Sequence, residues 1–472
     1  MKRVLLLMMQ PPGGTGVQGL RYSKLFPYTE SQGWELHFAG PAPQLASVGL
    51  EPLGCPTERC HYTKKISFSH QLSILKNRQR RHGLLFFFYG LLQFAAKAIE
   101  VLRKHDRLLY LESGLHETVI QADKRYHFDL IAAISPDFRI LEIGADIAQQ
   151  LSKPLLAIYH DPHGQRDEVK FYPDDRERQL RVLSQAAGVL FMSPLTRDRY
   201  VDQNLVERSK TFCLTDSYPL DQRYYDHIQS CLPREEPPQH RSTLAPEAST
   251  PLQMVHLGSL PEWRPIDPLL AALTSLEKMP DAPQLSIDLY GYLYPKAHDL
   301  IDRLNLQSDR YRFRLHNSLD HLGSHWVAAN ADILLVMIGG RHLDNQPSKF
   351  FVYLGHKRPV LVIGPLGNPI EKIINDTGIG VYADVRDVNS IRRGMLELIN
   401  NFGAYQEAFD RQYHELRRYA ADRVALSLIN VYDETLKRSR KFDSSQPGIF
   451  TSSPPVHFDQ GLPPAPEKRG LL

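Results

Sequence analysis

The sequence is poor in cysteine, and its cysteines form no recognisable motif. The chain of 472 residues has four of them, Cys55, Cys60, Cys213 and Cys231, with no CxxC spacing. Small secreted domains held by disulfides use cysteine densely, and structural zinc sites use closely spaced cysteine pairs. The sequence therefore argues against both classes, and we expect a protein of the reducing cytoplasm.

An excess of charge of either sign is also missing. Lysine and arginine total 56 and aspartate and glutamate total 53, which gives a formal net charge of +3. Proteins that bind nucleic acid through a general basic field carry a larger positive charge. Nucleic acid is therefore not an expected partner, and any anion site has to be local.

No apolar run is long enough to span a bilayer. The start RVLLLMM is short and runs into Pro-Pro-Gly-Gly, so it predicts a buried strand rather than a signal peptide. The most apolar stretch, LLFFFYGLL, lies in segment 76–102 directly after the basic run KNRQRRH. This composition is typical either of an anchor on the inner face of a membrane or of a core helix with a solvated basic approach. Both interpretations stay open.

Apolar runs and amphipathic stretches alternate along the chain. In the second half the apolar runs predict strands at residues 253–260, 285–293, 311–319, 331–339, 358–365 and 378–385. In the first half they predict strands at residues 3–9, 34–40, 107–113, 128–135, 153–161 and 188–194. Strands that alternate with helices predict parallel sheets covered on both faces. The expected fold class is therefore α/β, with two tandem doubly wound Rossmann-like domains and a cleft between them.

Composition also predicts where these domains end. Residues 233–251 are rich in proline, serine and charge and lack an apolar period, so they are expected to link an N-terminal domain, 1–232, to a C-terminal domain, 252–440. The second domain is expected to end in a closing helix. Residues 441–472 cannot bury a core, and we expect a disordered tail there.

In the first domain, two loops that follow predicted strands attract attention, because parallel sheets bind ligands at the carboxyl ends of their strands. Gly13, Gly14 and Gly16 precede a helix, where the backbone can approach an anion. Their pattern is not GxGxxG, so no dinucleotide cofactor is expected. His160 lies where the predicted strand emerges, after its apolar run KPLLAI at 153–158, and suits contact with a polar substrate or holding a proton near neutral pH. A structural histidine is the alternative, and a metal site formed by His160, Asp161 and His163 would be a third interpretation.

In the second domain, polar groups again follow the predicted strands. Gly258 and Ser259 end one strand and Arg264 follows after a short loop, while Ser348 and Lys349 begin a helix. Arginine, lysine and free helix N–H groups that converge at strand ends favour a diphosphate. A surface arginine, and a lysine whose stem packs on the core while its charge reaches water, are the alternatives.

Several of these blocks resemble a known enzyme family. VHLGSLPEWRPIDPLLAAL, IDLYGYL, LHNSL, ANADILLVMI, PSKFFVYLGHKRPVLVIGP and TGIGVYADV are similar, in order, to the C-terminal half of the family-four retaining glycosyltransferases, which have the GT-B fold. In the first half, PPGGTGVQGLRYSKLFPYTESQGWELHF and KPLLAIYHDPHG resemble the family's opening glycine loop and its strand ending in histidine. Residues 55–113 match no part of the family.

The resemblance implies that a nucleotide sugar binds mainly to the second domain and an acceptor mainly to the first. Arg264 and Lys349 would then bind the donor diphosphate, which the glycine loop would approach from across the cleft. His160 would contact the sugar or orient the acceptor, and residues 315–322 would lie beside the nucleobase. The family needs neither a catalytic metal nor a cofactor, and it retains the anomeric configuration.

The chain departs from the family at two positions. Many members carry two glutamates there, the second of which binds the donor ribose, whereas this chain has Asp344 and Val352. Asp344 keeps a carboxylate, but Val352 cannot accept a hydrogen bond from ribose. Tyr353 is then a candidate ribose ligand. A further family feature is a final helix that returns to the first domain, and the apolar helical pattern at 422–440 fits either this or a simple closing helix.

These observations together predict a hexosyl-type glycosyltransferase that uses a nucleotide-sugar donor. The acceptor is expected to be a glycan or a lipid-linked intermediate, as in polysaccharide biosynthesis. Segment 76–102 is the part of the chain that would contact the membrane surface if its anchor interpretation holds. Two alternatives stay open: a GT-B protein that binds a nucleotide sugar or glycan without turnover, which Val352 suggests, and a sugar-nucleotide epimerase.

Overall fold

The computed structural model describes residues 1–12, 17–42, 56–63, 87–92, 94–95, 107–163, 175–219, 251–280 and 282–444. The glycine loop with Gly13, Gly14 and Gly16 lies outside these residues. So do nearly all of the predicted linker and tail and most of segment 76–102. No helix in the described ranges combines the length and apolar character that crossing a bilayer requires.

The first domain is built on a parallel sheet with the strand order β3-β2-β1-β4-β5-β6-β7. Its strands are β1 (Lys2–Leu7), β2 (Trp34–Pro41), β3 (Cys60–Thr63), β4 (Leu130–Ile134), β5 (Leu155–Tyr159), β6 (Gly188–Phe191) and β7 (Thr211–Cys213). The central strands are continuously apolar because helices cover both faces of the sheet. The order reverses between β1 and β4, so the carboxyl ends of these two strands border a ligand crevice.

One strand predicted in this half is wrong, and two strands were not predicted. Residues 107–113 begin a long helix, Arg107–Tyr126, instead of forming a strand. Leu115, Val119 and Ala122 of this helix are buried at helical spacing, and this period continues the apolar run that resembled a strand. The short strands β3 and β7 are only half-buried, so their sequences lack a continuous apolar run.

The second domain has a parallel sheet with the order β10-β9-β8-β11-β12-β13. Its strands are β8 (Leu252–Leu257), β9 (Leu285–Tyr290), β10 (Tyr311–His316), β11 (Ile333–Met337), β12 (Val360–Gly364) and β13 (Gly380–Asp384). All the strands predicted in this half are confirmed, as is the α/β fold with two doubly wound domains. The order reverses between β8 and β11, which puts the end of β8 at the ligand-binding edge.

Helices connect the strands and cover both sheets. In the first domain they are α1 (Val17–Ser23), α2 (Phe26–Thr29), α3 (Arg107–Tyr126), α4 (Phe138–Gln150), α5 (Asp175–Gln185) and α6 (Pro194–Asp202). Those that follow are α7 (Asp267–Glu277), α8 (Pro295–Gln307), α9 (His321–Asn330), α10 (Ser348–Leu354), α11 (Pro369–Thr377), α12 (Val388–Asn400), α13 (Phe402–Arg411), α14 (Tyr413–Leu416) and α15 (Ala421–Ser444). Residues 87–92 are also helical.

The last helix, α15, packs on the first domain. Leu428 and Tyr432 are fully buried there against residues of β1, β5 and β6, and the Tyr432 ring lies 5.1 Å from that of Trp34. The chain segment leading into α15 pairs with the segment that leaves the first domain, because Tyr218 and Ala420 form a parallel bridge. Two hydrogen-bonded segments therefore cross side by side between the domains.

Candidate functional site

The candidate site of the second domain begins with Lys349, in the first turn of α10. Its Nζ donates to the carbonyl oxygen of Leu257 at the end of β8 and lies 3.3 Å from Nε2 of His256. A Cβ atom on Gly258 would lie 2.9 Å from this Nζ. Helix α10 therefore points its lysine across the end of β8, at the edge where doubly wound sheets bind ligands.

Lys349 has no carboxylate partner among the described residues, and none of their ion pairs includes it. Burial, and then the nearby charge of Arg264, lower the pKa of Lys349 to about 7. The helix dipole is positive at the same end of α10. An anion beside Lys349 would be stabilised by the lysine and the helix together, and its charge would raise the pKa of the lysine again.

Arg264 lies in the loop that follows β8. Its guanidinium packs over the ring of Trp263 at 4.6 Å, and its Nη1 lies 3.5 Å from the carbonyl oxygen of Ser259. The positive charge of Arg264 lowers the pKa of both Lys349 and His256. The structure thus brings Gly258, Ser259, Arg264 and Lys349 together in a recess at the end of β8, where two basic side chains meet.

Glycine is required at two positions of this recess. Gly258 has φ of +100° and Gly291, after β9, has φ of +120°, values that other residues rarely adopt. A Cβ atom on Gly291 would also lie 2.9 Å from the carbonyl carbon of Gly258. The ends of β8 and β9 therefore approach each other closely and leave their backbone open to a ligand.

A cavity of about 540 Å³ adjoins Gly258. Its lining includes Tyr290, Gly291, His316 and Asn317. The rings of Tyr290 and His316 stack at 4.2 Å, and Nε2 of His316 lies 2.7 Å from Asp288. The segment that the resemblance places beside a nucleobase, 315–322, thus contributes its first residues to this wall.

Two predicted donor ligands are engaged elsewhere in the structure. Tyr353 is a core residue whose hydroxyl accepts the Leu257 N–H at 3.2 Å, and its assignment as a ribose ligand stays a prediction. Asp344 is buried and accepts a hydrogen bond of 2.8 Å from Thr196 of α6, with Arg199 at 3.6 Å. Asp344 therefore joins the two domains. Ser348 remains partly accessible beside Lys349.

His160 lies in the first domain, directly after β5. Its backbone N–H donates to Ser135 Oγ at 3.0 Å, and its Nε2 lies 3.1 Å from the Tyr22 hydroxyl on α1. Burial, followed by the charge of Arg21, lowers the pKa of His160 well below its usual value. The imidazole is therefore neutral at physiological pH and is suited to hydrogen bonding rather than to accepting a proton.

Helix α1 also carries an ionic cluster that local sequence patterns do not indicate. Asp216 accepts from Arg21 Nε and from Lys24 Nζ, both at 2.9 Å, and from the Ser217 N–H at 2.7 Å. Asp216 lies two residues before the Tyr218 bridge, so the cluster ties α1 to the crossing segments. The described ranges contain no group of three or more histidine, cysteine, aspartate or glutamate residues that could hold a metal ion.

His256 and Asp216 are the principal site residues that the sequence analysis missed. The sequence could have indicated His256, because a histidine among the apolar residues of a predicted central strand is unusual. It also lies two residues before Gly258, at the turn that ends the strand. Asp216 had none, because its partner Arg21 is 195 positions away in the sequence.

No protein-family model matches this sequence, and no curated protein sequence is similar to it. Its similarity to known proteins lies in structure. HepE from Anabaena, solved with UDP, superposes with a TM-score of 0.59 and 14% identity, over 92% of this chain and 100% of its own. Sucrose-phosphate synthase from Thermosynechococcus elongatus gives a TM-score of 0.58 and 14% identity, over 94% and 100%.

The same fold occurs in an enzyme of another class. The UDP-GlcNAc 2-epimerase of Neisseria meningitidis, solved with UDP-GlcNAc, gives a TM-score of 0.52 and 9% identity, over 92% of this chain and 100% of its own. At such identities the similarity establishes the fold. The chain has the two-domain GT-B fold.

Proposed function

We propose that the protein is a glycosyltransferase that moves a sugar from a nucleoside-diphosphate donor to an acceptor. The observation that carries this proposal is the recess at the end of β8, where Lys349 and Arg264 meet beside the open backbone of Gly258. A diphosphate would bring negative charge to Lys349, for which the described residues provide no carboxylate. Because the diphosphate gains negative charge as it leaves the sugar, the same contacts favour the transition state.

We assign the nucleoside to the cavity beside Gly258. Its volume of about 540 Å³ lies within the usual range of ligand pockets. The stacked rings of Tyr290 and His316 offer a flat surface to a base. HepE, which has the same fold, was solved with UDP, and UDP is therefore the nucleotide that we propose first.

We further propose the chemistry of the retaining family-four enzymes, whose motifs the sequence resembles. The bond between sugar C1 and the donor phosphate oxygen breaks, and the acceptor oxygen bonds to C1 on the same face. The acceptor proton passes to the departing phosphate oxygen, so this step needs neither a metal nor a protein base. His160 is neutral and would orient the sugar or the acceptor through a hydrogen bond.

We assign the acceptor, a glycan or a lipid-linked intermediate, to the first domain and the donor to the second.

The helical residues at 87–92 expose the large apolar side chains of Phe87, Phe88 and Leu91. Their exposed fractions are 65%, 54% and 70%, which is unusual for such side chains. The basic run at 76–82 precedes them in sequence. We propose that this surface contacts anionic lipid at the inner face of a membrane.

Val352 favours a second candidate function. Val352 stands where the resemblance places a ribose-binding glutamate, and it cannot accept a hydrogen bond from a ribose hydroxyl. Tyr353, the next residue, is buried. The second candidate is a GT-B protein that binds a nucleotide sugar without turnover. It predicts donor binding with neither transfer nor hydrolysis, whereas an epimerase would interconvert the donor without an acceptor.

Calorimetric titration with a panel of nucleoside diphosphates, UDP first, tests the proposal. The wild-type protein should bind one of them saturably. Lys349→Ala should weaken that binding by about 1.5–3 kcal/mol, or roughly 10- to 150-fold, if the lysine makes a charge-assisted hydrogen bond to the diphosphate. Lys372→Ala is the matched control, because Lys372 is exposed on α11 and pairs only with Asp376 of its own helix among the described contacts. If the wild type binds none of the panel, the proposed function is refuted.

A further inference from the structure

His256 is a buried histidine in β8, and the structure defines which of its nitrogens carries the proton. Its Nδ1 lies 3.0 Å from the carbonyl oxygen of Leu335 on the neighbouring strand β11. A carbonyl oxygen can only accept, so Nδ1 must donate. Nε2 of the neutral ring is therefore left with a lone pair.

That lone pair faces Lys349. The distance from Nε2 of His256 to Nζ of Lys349 is 3.3 Å, and an ammonium group can only donate, so Nε2 is the acceptor. Burial and the charges of Lys349 and Arg264 lower the pKa of His256 well below its usual value, which keeps the ring neutral. Among the described residues, Lys349 and Arg264 are the charged groups that act on this histidine, and backbone hydrogen bonds with Leu335 and Gly258 oppose their effect on its pKa.

We propose that His256 is a positioning residue that sets both the direction and the charge of Lys349 for a ligand carrying a diphosphate. The ammonium has three N–H groups, and His256 and the Leu257 carbonyl, both on β8, accept two of them. The third N–H remains for the ligand beside Gly258. The identity of the ligand in this inference rests on the proposed function. The contact between His256 and Lys349 does not depend on it.

The contact has a consequence for the charge of Lys349. A hydrogen bond accepted from the ammonium stabilises the charged form of a lysine whose pKa burial has already lowered to about 7. In His256→Leu the acceptor is lost, so the pKa of Lys349 should fall below about 7 and a smaller fraction of the amine should be charged at physiological pH than in the wild type. His256→Gln retains an acceptor oxygen near the position of Nε2 and should restore the wild-type behaviour.

The first test measures the lysine itself, without any nucleotide. NMR titration of protein labelled with ¹⁵N in its lysine side chains would give the pKa of Lys349, whose signal is identified by its loss in Lys349→Arg. His256→Leu should lower this pKa by roughly one pH unit or more, and His256→Gln should leave it near the wild-type value. An unchanged pKa in a folded His256→Leu protein would overturn the inference. If that variant does not fold, His256→Val, which also removes the acceptor, takes its place in the same titration: a lowered pKa of Lys349 supports the inference and an unchanged pKa overturns it.

The second test measures binding of UDP between about pH 6 and pH 8.5. At about pH 8 the affinity of His256→Leu should be roughly tenfold weaker than that of the wild type, with a smaller difference at about pH 6, where more of the amine is protonated. His325→Leu is the control, because it removes another buried imidazole of the same domain. Equal affinities of His256→Leu and wild type at every pH would overturn the inference. A wild type that binds no nucleoside diphosphate would refute the proposed function instead, and the lysine titration would still decide the role of His256.

Discussion

Replacing Asp216 by alanine should destabilise the first domain strongly. The carboxylate is 3% exposed and is the shared partner of two cations, Arg21 and Lys24, each at 2.9 Å. Its loss leaves both cations in a buried environment without their counter-charge, which typically costs about 3–5 kcal/mol. Since whole domains are stable by only about 5–15 kcal/mol, this is a large fraction of the total.

Urea denaturation followed by circular dichroism would measure this loss. Asp410→Ala is the matched control, because Asp410 pairs with Lys357 at 3.0 Å on an exposed surface, where such pairs contribute about 0–1 kcal/mol. Asp216→Ala should lower the transition midpoint clearly and Asp410→Ala should not. A loss below about 1 kcal/mol in Asp216→Ala would refute the reasoning that the two cations depend on this carboxylate.

The same cluster predicts a dependence on pH. Burial alone would raise the pKa of Asp216, but Arg21 and Lys24 outweigh it and hold the pKa at about 2, below the ordinary value of 3.8. A depressed carboxylate pKa contributes stability that is complete above the unfolded value and is lost as the pH falls toward 2. The difference in stability between wild type and Asp216→Ala should therefore narrow below about pH 4.

Two further changes test the site and the membrane contact. His160→Ala should lower the rate of sugar transfer by about tenfold or more, because we assign the histidine to orienting the sugar or the acceptor. Donor affinity, measured by calorimetry, should stay within about twofold, because His160 does not contact the diphosphate in this assignment. Equal transfer rates in variant and wild type would make His160 a structural residue. Replacing Arg78, Arg80 and Arg81 together by glutamate should abolish sedimentation with vesicles of anionic lipid, whereas vesicles of neutral lipid serve as the control. Undiminished sedimentation with anionic vesicles would remove the membrane assignment.

The sequence predicted the sheets well where strands are buried on both faces. The strands of the second sheet were all identified: β11 and β12 are continuous apolar runs, and the edge strand β10 alternates buried and exposed residues. The edge strand β3, Cys60–Thr63, was missed because only part of it is buried and its sequence, CHYT, has no such run. Gly258 and Lys349 were both expected at strand ends, and in the structure the Nζ of Lys349 lies next to Gly258.

The orientation of side chains was harder to predict. Tyr353 is next to Val352 in sequence, but on a helix neighbouring residues point about 100° apart, and Tyr353 turns into the core. Asp344 could not be placed from local patterns, because its partner Thr196 belongs to the other domain. Contacts of this kind depend on the arrangement of complete domains, which periodicity and spacing do not encode.

The position of α15 has a consequence for how the protein is made. The indole N–H of Trp34 donates to Asp433, which follows it by 399 positions, and Leu428 fills the core beneath β1 and β5. The first sheet therefore leaves the ribosome long before the helix that covers one of its faces has been synthesised. Domains usually fold in the order of their synthesis, but here the first domain can complete its core only after α15 has been synthesised. Its uncovered apolar face is then the surface that a chaperone would need to shield.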